Sequence, residues 1–456
     1  MPFIPHTESD VRTMLGAIGV DSIEALFDEI PKDLRAGELR RVPPGLTEME
    51  MLQVLGARAK QDETGACFLG AGSYDHHIPA AVWDVVQRGE FMTAYTPYQA
   101  EASQGTLQLI YEYQSMIASL TGMDVSNASV YDGGSGLAEA VLMAVRANKK
   151  AKSRRVLAAE TVHPLHRRAA HDIVKNQRIV VDTLPMGLDG RVDLDALETQ
   201  SADPPVALVV QQPNVFGLLE DVDALGDWAA ANNVLLIAVV NPLSLALLKP
   251  PSEWGEAGAH IVCGDGQPFG IPMASGGPSF GFMCCRQDLV RQMPGRIIGK
   301  TVDLDGKPGF TLTLQAREQH IRRAKATSNI CTNQGLLVTA ATIHMSILGA
   351  EGLRRVAIAC HENTAKLVKA LTSVKGVKEK FTGPFFHERV IQVPGDARHV
   401  IDALAKKHLI GGLPLGEHYP ALADCIVVCA TEKRTNADIE HYRAALTEVL
   451  HTGAPA

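Results

Sequence analysis

The sequence predicts an α/β protein with a doubly wound, mostly parallel sheet, and two observations lead to this prediction. Short apolar runs rich in β-branched residues recur from about residue 127 onward, which is typical of strands that are buried on both faces. They alternate with helical patterns whose lengths suit crossovers between parallel strands. The order of the strands does not follow from the pattern alone.

Each predicted element of this unit is a short run bounded by turn residues. The predicted strands are 128–131, 155–159, 178–182, 206–210, 234–240, 260–263 and 280–284. The predicted crossover helices are 136–147, 164–176, 193–198 and 222–232.

The flanking regions predict two further units. Residues 1–64 form a helical N-terminal segment, in which Thr7 caps a first helix, 22–30 repeats the helical pattern, and Thr47 with Glu50 forms a capping box. Residues 65–330 form the large α/β domain. Residues 331–456 form a C-terminal domain that is first helical and then a small α+β unit, with strands at 390–393 and 426–429 and helices at 399–406 and 437–450.

Composition restricts the classes of partner. The 456 residues are 46% hydrophobic, with mixed charges and a net charge of −8, which disfavours nucleic acid or an anionic membrane as the main partner. The eight cysteines are scattered, as in a reduced cytoplasmic protein. The N-terminus lacks the basic start and apolar run of a signal peptide, and the longest apolar stretches are of strand length. We therefore expect a cytoplasmic protein without a membrane span.

Three positions at predicted strand ends are candidates for ligand binding, because open α/β sheets bind ligands at the carboxyl ends of their strands. The glycine-rich turn 132–136 opens a helix and is suited either to a phosphate or only to the turn geometry. His163 is a candidate for stacking on a flat cofactor or for titration near neutral pH, or else it is a partly exposed helix-start residue. Asn241 follows an apolar strand and is expected to bond the turn at Pro242.

Two polar clusters exceed what plain loops need. The first, 95–105, contains Tyr95 and Tyr98, which are suited either to a site or to a core with a wet end. The second, 317–334, carries Arg317, Arg322, Arg323 and Lys325, which form either an anion-attracting edge or a solvated helix face.

Four stretches, 72–77, 95–105, 258–278 and 317–334, closely resemble the glycine cleavage P-protein family, and the resemblance covers nearly the whole chain. The length and motifs resemble the first, or alpha, subunit of the form that is split into two chains. The resemblance implies the pyridoxal-phosphate-dependent transferase fold of the aspartate-aminotransferase type. It also implies the reaction: glycine loses CO2 on pyridoxal phosphate, and the aminomethyl group passes to the lipoyl carrier protein (H-protein).

The resemblance further implies that this chain cannot hold the cofactor covalently. Superposed on the family's lysine-bearing motif, Gln267 stands at or next to the Schiff-base lysine, and Asn241 stands where an aspartate pairs with the pyridine nitrogen. Lys249 and Lys300 flank the region, but Lys249 lies beside two prolines and Lys300 is placed in a loop beyond the sheet. Pyridoxal phosphate is thus expected to be carried by the beta subunit.

In enzymes of this fold the active site lies at a dimer interface, so a chain without the lysine still supplies a wall. The expected wall residues are Tyr95, Tyr98, Gln99, Ser103, Gln104, Asn329 and Thr332. The expected partners are the beta subunit, in a heterotetramer, the H-protein and glycine. The open alternatives are a self-sufficient pyridoxal-phosphate amino-acid lyase and a non-catalytic scaffold subunit.

Overall fold

The chain divides into two compact units, Met1–Glu63 and Thr64–Ala456. The structure, a computed structural model, describes residues 5–35, 37, 41–62, 65–92 and 95–452. Thr64, the predicted end of the N-terminal segment, lies outside the described residues, and the predicted division at residue 330 remains a prediction.

In the part of the first unit that the structure describes, the α-helices are α1 (Glu8–Ile18) and α2 (Glu48–Ala59), and both begin with the predicted caps. The Thr47 hydroxyl accepts from the Glu50 backbone N–H while the Glu50 carboxylate accepts from the Thr47 backbone N–H, a reciprocal capping box. The same arrangement joins Thr7 and Asp10.

The predicted helix at 22–30 is wrong in type, since this segment holds only a 3₁₀ turn, Glu24–Phe27. The Ser22 hydroxyl accepts from the Ala25 N–H at its start. Pro31 disfavours the α conformation at Ile30, so the turn does not extend into a longer helix.

The second unit contains the remaining helices and strands. In chain order they are β1 (Ala66–Cys67), α3 (Ala80–Val86), α4 (Gln104–Thr121), β2 (Val125–Ser126), α5 (Gly133–Ala147), β3 (Arg155–Ala159), α6 (Pro164–Val174), β4 (Val180–Leu184), α7 (Leu194–Glu198), β5 (Ala207–Gln212), α8 (Val222–Ala231), β6 (Leu235–Val240), β7 (Ile261–Asp265), β8 (Gly281–Cys285), β9 (Ile297–Val302), β10 (Pro308–Thr313), α9 (Gln319–Arg322), α10 (Gly335–Thr372), β11 (Lys378–Glu379), β12 (Glu388–Gln392), α11 (Ala397–Ala405), β13 (Leu409–Ile410), β14 (Leu413–Pro414), β15 (Cys425–Cys429) and α12 (Asn436–Thr452).

The large sheet has seven strands in the order β2-β8-β7-β6-β5-β3-β4. Strands β3 to β7 are parallel, as predicted, whereas β8 runs antiparallel to β7 and β2 antiparallel to β8. The predicted strand at 128–131 is wrong: Val130 makes a single bridge to Gly281. Ser129 has a φ of 97°, which breaks the extended backbone that a strand needs.

The hairpin β9–β10 was not predicted, and it corrects the placement of Lys300, which lies within β9 rather than in a loop. The sequence does contain a pattern that predicts this hairpin, because the turn dipeptide Asp305-Gly306 lies between two apolar runs. Gly306 adopts a φ of 79°, and the Asp303 carboxylate accepts from the Asp305 and Lys307 N–H groups.

The small sheet has the order β11-β12-β15-β14 and is antiparallel throughout, which agrees with the predicted small α+β unit. Helix α10 leads into it and is broken at Gly349, where φ is 61°. By length and composition α10 is the one described helix apolar enough to cross a membrane, but half of its apolar window is buried inside the protein. Buried residues such as Val338, Ala341 and Met345 place it in the core beside the large sheet.

Candidate functional site

A small cavity lies where the carboxyl ends of β5, β6 and β7 meet. Its volume is about 30 Å³, and Gln211, Asn241 and Asp265 line it from these three strands. That space admits roughly one or two water molecules, far less than the ~300 Å³ or more of an ordinary small-molecule pocket. The chain itself fills the space directly at these strand ends, where open α/β sheets bind ligands. An adjoining pocket of about 440 Å³, lined in part by Asp132, Asp265 and Gln267, remains open.

Gln267 holds a loop across this crevice. Its side chain is 4% exposed, and its Oε1 accepts from the Tyr74 N–H at 2.8 Å. Its Nε2 donates to the Tyr74 carbonyl at 2.9 Å and to the Ile271 carbonyl at 2.7 Å. The amide therefore fixes the Tyr74 backbone through both a donor and an acceptor, which a lysine cannot do.

Asn241 has the predicted turn role. Its Oδ1 accepts from the Leu243 N–H at 3.0 Å at the start of the 3₁₀ turn Pro242–Ala246. Its Nδ2 lies 3.3 Å from Nε2 of His387. The neutral amide is thus engaged on both sides.

The N-terminus of α5 carries carboxylates where a phosphate was one of the two interpretations. Asp132 caps the helix by accepting from the Ser135 N–H at 2.7 Å, and Asp265 accepts from the Gly133 N–H at 3.1 Å. Burial, and to a smaller extent the Asp132 charge, raises the pKa of Asp265. Because the helix end already binds two acidic side chains, a phosphate does not fit there.

His163 corrects a second expectation. It caps α6 by accepting from the Leu165 N–H at Nδ1, while its Nε2 donates to the Ala71 carbonyl at 2.8 Å. It is buried rather than partly exposed, and burial lowers the pKa of the imidazole to about 3. It therefore does not titrate near neutral pH.

Glu388, which sequence reasoning missed, also occupies this crevice. Its Oε1 accepts from the Ala71 N–H at 2.5 Å and its Oε2 from the Tyr74 hydroxyl at 3.0 Å. Burial raises the pKa of the carboxyl to about 7. No local signal marks this residue, because its partners lie more than 300 positions away in the chain.

Pyridoxal phosphate, the cofactor of this fold, does not fit the chemistry of these residues. The position expected for the lysine holds a hydrogen-bonded amide, and the helix end expected for the phosphate binds two carboxylates. The two flanking lysines are also unsuitable: Lys249 pairs with Asp223 at 2.6 Å near the surface, and Lys300 is exposed on β9.

A much larger pocket, with a volume of about 670 Å³, lies between the two polar clusters 95–105 and 317–334. Residues of both clusters, which the sequence marked as candidate sites, line this pocket. Its lining is Thr96, Tyr98, Gln99, Ala100, Glu101, Arg296, Thr311, Leu312, Gln315, Glu318, Gln319, His320 and Cys331.

Tyr98 organises one wall of this pocket. Its hydroxyl donates a short hydrogen bond to Oδ1 of Asn333 and lies 3.2 Å from the hydroxyl of Thr332. The Arg296 guanidinium stacks 4.2 Å from the centre of the tyrosine ring and donates to the Cys331 carbonyl at 2.8 Å. This cation–π contact fixes a buried positive charge beside an aromatic face.

The pocket also contains buried polar atoms without hydrogen-bond partners among the described residues. They are Nε of Arg296, Oε1 of Glu318 and, beside Tyr98, Nδ2 of Asn333. Arg296 and Glu318 approach each other at 3.9 Å with side chains only 12% and 9% exposed. Since buried polar groups are normally paired, these atoms mark places where the chain supplies fewer hydrogen bonds than usual.

The other expected wall residues are placed differently. Gln104 holds β10 through Phe310, accepting from its N–H and donating to its carbonyl, both at 2.9 Å. Tyr95 is 78% exposed. Ser103 is the N-cap residue of α4 without a side-chain cap bond, and Asn329 accepts from Gln319 at 3.4 Å. Of the seven, Tyr98 and Gln99 line the large pocket directly and Thr332 contacts it through Tyr98.

Arg317, proposed as part of an anion-attracting edge, instead braces the backbone. Its guanidinium donates to the carbonyls of Met293, Leu314 and Gly295. Arg322, Arg323 and Lys325 are exposed, which agrees with the solvated interpretation.

Comparisons with known proteins give the family. The family model described as glycine cleavage system P-protein matches residues 1–446. The chain belongs to the glycine cleavage system P-protein family. Probable glycine dehydrogenase (decarboxylating) subunit 1 of Nitrosospira multiformis is 60% identical over 451 residues, covering 99% of both chains. The protein of the same name from Nitrosomonas europaea is 58% identical over 455 residues, covering all of both chains.

Solved structures give the same fold. The crystal structure of an inhibitor-bound glycine decarboxylase (P-protein) of the glycine cleavage system has a TM-score of 0.88 and 41% identity, covering 99% of this chain and 100% of that chain. A sphingosine-1-phosphate lyase of Burkholderia pseudomallei has a TM-score of 0.65 and 18% identity, over 92% of this chain and 94% of that chain. This P-protein family member thus has the predicted fold of pyridoxal-phosphate-dependent enzymes of the aspartate-aminotransferase type.

Proposed function

We propose that this chain is subunit 1 of a two-chain glycine dehydrogenase (decarboxylating), and that it acts only with a second subunit that carries pyridoxal phosphate. One observation carries the proposal: the position expected for the Schiff-base lysine holds Gln267, whose amide is bonded to the Tyr74 backbone, and Glu388 occupies the space at the strand ends beside it. The subunit-1 name of relatives about 60% identical over the whole chain supports it.

In this proposal the second, or beta, subunit supplies the lysine and the cofactor. Glycine loses CO2 there, and its aminomethyl group passes to the lipoyl arm of the H-protein. Gln267 and Asn241 stand in this chain where the lysine and the pyridine-pairing aspartate would be. The assembly is a cytoplasmic heterotetramer with two copies of each subunit.

The large pocket is the proposed contribution of this chain to the shared active site. Arg296, which Glu318 approaches at 3.9 Å, supplies a fixed positive charge suited to a carboxylate such as that of glycine. Tyr98, Gln99 and Thr332 frame this position, while Tyr95, Ser103, Gln104 and Asn329 complete the wall towards the partner.

The first test concerns the cofactor. The purified chain, mixed with pyridoxal phosphate, should show no internal-aldimine absorbance and no exchange of CO2 with glycine, whereas the complex with the second subunit should show both. A stoichiometric band that borohydride fixes onto Lys249 or Lys300 would instead establish a self-sufficient enzyme.

The second test concerns the wall. In the reconstituted complex, Arg296→Met and Tyr98→Phe should each lower glycine–CO2 exchange at least tenfold while the two subunits still assemble. Arg443→Met is the matched control, because Arg443 is a surface arginine paired with Glu440 on its own helix. Normal turnover in both pocket variants would favour a non-catalytic scaffold.

A further inference from the structure

Three side chains with metal-ligand chemistry meet behind the loop that fills the cofactor crevice. His76 lies at the end of that loop, Cys360 lies on α10, and Glu432 follows β15. One ligand atom of each lies within 4.8 Å of the others, the only such group found among the described residues. Three elements that are distant in the sequence thus converge on a volume the size of one coordination sphere.

Hydrogen bonds connect the three side chains in the structure. Oε2 of Glu432 accepts from Nδ1 of His76 at 2.8 Å and from the thiol of Cys360 at 3.2 Å. Its Oε1 accepts from the His77 N–H at 2.5 Å. One carboxylate is therefore the common acceptor of an imidazole N–H and a thiol.

A second observation points to a ligand. The His76 side chain is 4% exposed, and its Nε2 has no hydrogen-bond partner among the described residues. The Nδ1 of the buried His344, which interacts electrostatically with both His76 and Glu432, is also unpartnered. Buried polar groups are normally paired, so two unsatisfied imidazole nitrogens at one cluster of ligand-type side chains point to a missing partner.

We propose that His76, Cys360 and Glu432 form a binding site for Zn²⁺. Thiolate, imidazole and carboxylate are its preferred ligands, whereas Mg²⁺ and Ca²⁺ favour oxygen alone. Zn²⁺ with one thiolate and one carboxylate carries no net charge, which suits a buried site.

Binding is a metal-for-proton exchange. The Cys360 S–H bond breaks as the Zn–S bond forms, and that proton passes to solvent, while zinc takes the lone pair of one His76 ring nitrogen. The bound ion joins the crevice-filling loop to α10 and to the small sheet. It therefore adds a second attachment to the loop that Gln267 holds at Tyr74.

Zinc content tests the proposal. The full-length chain, loaded with ZnCl2 and dialysed against metal-free buffer, should retain about one zinc per chain, and Cys360→Ser should lose nearly all of it. Cys331→Ser, which removes an exposed thiol, is the matched control and should retain the metal. Equal zinc content in the wild type and Cys360→Ser would overturn the proposal.

A spectroscopic measurement keeps the test decisive if Cys360→Ser folds poorly. Co²⁺ added to the wild type should give a thiolate-to-cobalt charge-transfer band that Zn²⁺ abolishes, together with release of at least one proton per metal ion in weak buffer. A wild type without that band does not have a thiolate-ligated site, and the cluster then serves packing alone.

Discussion

Glu388→Gln should remove a pH-dependent destabilisation that the filled crevice creates. The carboxyl group is fully buried, accepts from the Ala71 N–H and the Tyr74 hydroxyl, and has a pKa raised by burial from 4.5 to about 7. A glutamine of the same shape keeps the acceptor for Ala71 and presents an amide to the Tyr74 oxygen, so the packing is preserved.

The sign and size of the effect follow from proton linkage. Below pH 4.5 the carboxyl is protonated in both the folded and the unfolded state, and it costs nothing. As the pH rises from 4.5 to about 7, the unfolded state has lost its proton while the folded state keeps it, so the wild type loses stability until the loss levels off above pH 7. The gap between the two pKa values corresponds to about 3 kcal/mol at pH values above 7.

Urea unfolding of the wild type and Glu388→Gln, followed by tryptophan fluorescence from about pH 5 to pH 8, measures this difference. The three tryptophans all lie in Thr64–Ala456, so the signal reports the unit that contains Glu388. The free energy of unfolding of the variant relative to the wild type should rise by about 3 kcal/mol over this range. Glu351→Gln, at an exposed site on α10, is the control and should not show the rise.

A free-energy difference that stays constant with pH would refute the reasoning. It would mean that Glu388 is ionised in the folded protein, and that its two donors outweigh the cost of burying the charge. A constant loss of stability in the variant would instead mean that the glutamine amide cannot replace the carboxylate against Tyr74.

Three further predictions concern Gln267 and the backbone beside Glu388. Gln267→Leu should destabilise the unit by roughly 2–4 kcal/mol in urea unfolding, because the Tyr74 N–H and two carbonyls lose their partners. Gln267→Lys should give no aldimine absorbance band with pyridoxal phosphate. A band would show that the loop can move aside to admit the cofactor. Gly217→Ala should lower the free energy of unfolding by roughly 2–5 kcal/mol, because φ at this position is +79° and the new Cβ would lie 2.0 Å from the Glu388 carbonyl oxygen. An unchanged urea midpoint would show that the backbone relaxes at this position.

What the sequence predicted correctly was local. The capping boxes at Thr7 and Thr47 depend on residues three positions apart, and the parallel strands from β3 to β7 depend on short apolar runs. Both signals are contained within one helix or strand, so the prediction of that element does not depend on its tertiary contacts. The direction of β8 is not local, because an apolar run reads the same whether its neighbour is parallel or antiparallel.

The contents of the crevice could not be predicted in this way. Family resemblance marked Gln267 and Asn241, but nothing in the sequence near Glu388 indicates that its carboxylate reaches Ala71 and Tyr74. The same is true of Asp265, whose contact with the α5 N-terminus joins residues 132 positions apart. Arg296 was missed because it is a single arginine in a loop, and its role depends on contact with the Tyr98 ring, which lies far away in the sequence.

The distribution of satisfied and unsatisfied polar groups separates the two candidate sites physically. In the crevice, Gln267, Asp265 and Glu388 have partners within the chain, whereas Nδ1 of His166 is buried without one among the described residues. In the large pocket, Arg296 and Glu318 are buried yet keep unpartnered atoms among the described residues. A buried group without a partner costs free energy, which a ligand or a neighbouring subunit recovers when it supplies the missing hydrogen bond. What distinguishes the large pocket is that its unpartnered atoms belong to an arginine and a glutamate, and this pocket is where the proposed function places the contact with the cofactor-bearing subunit.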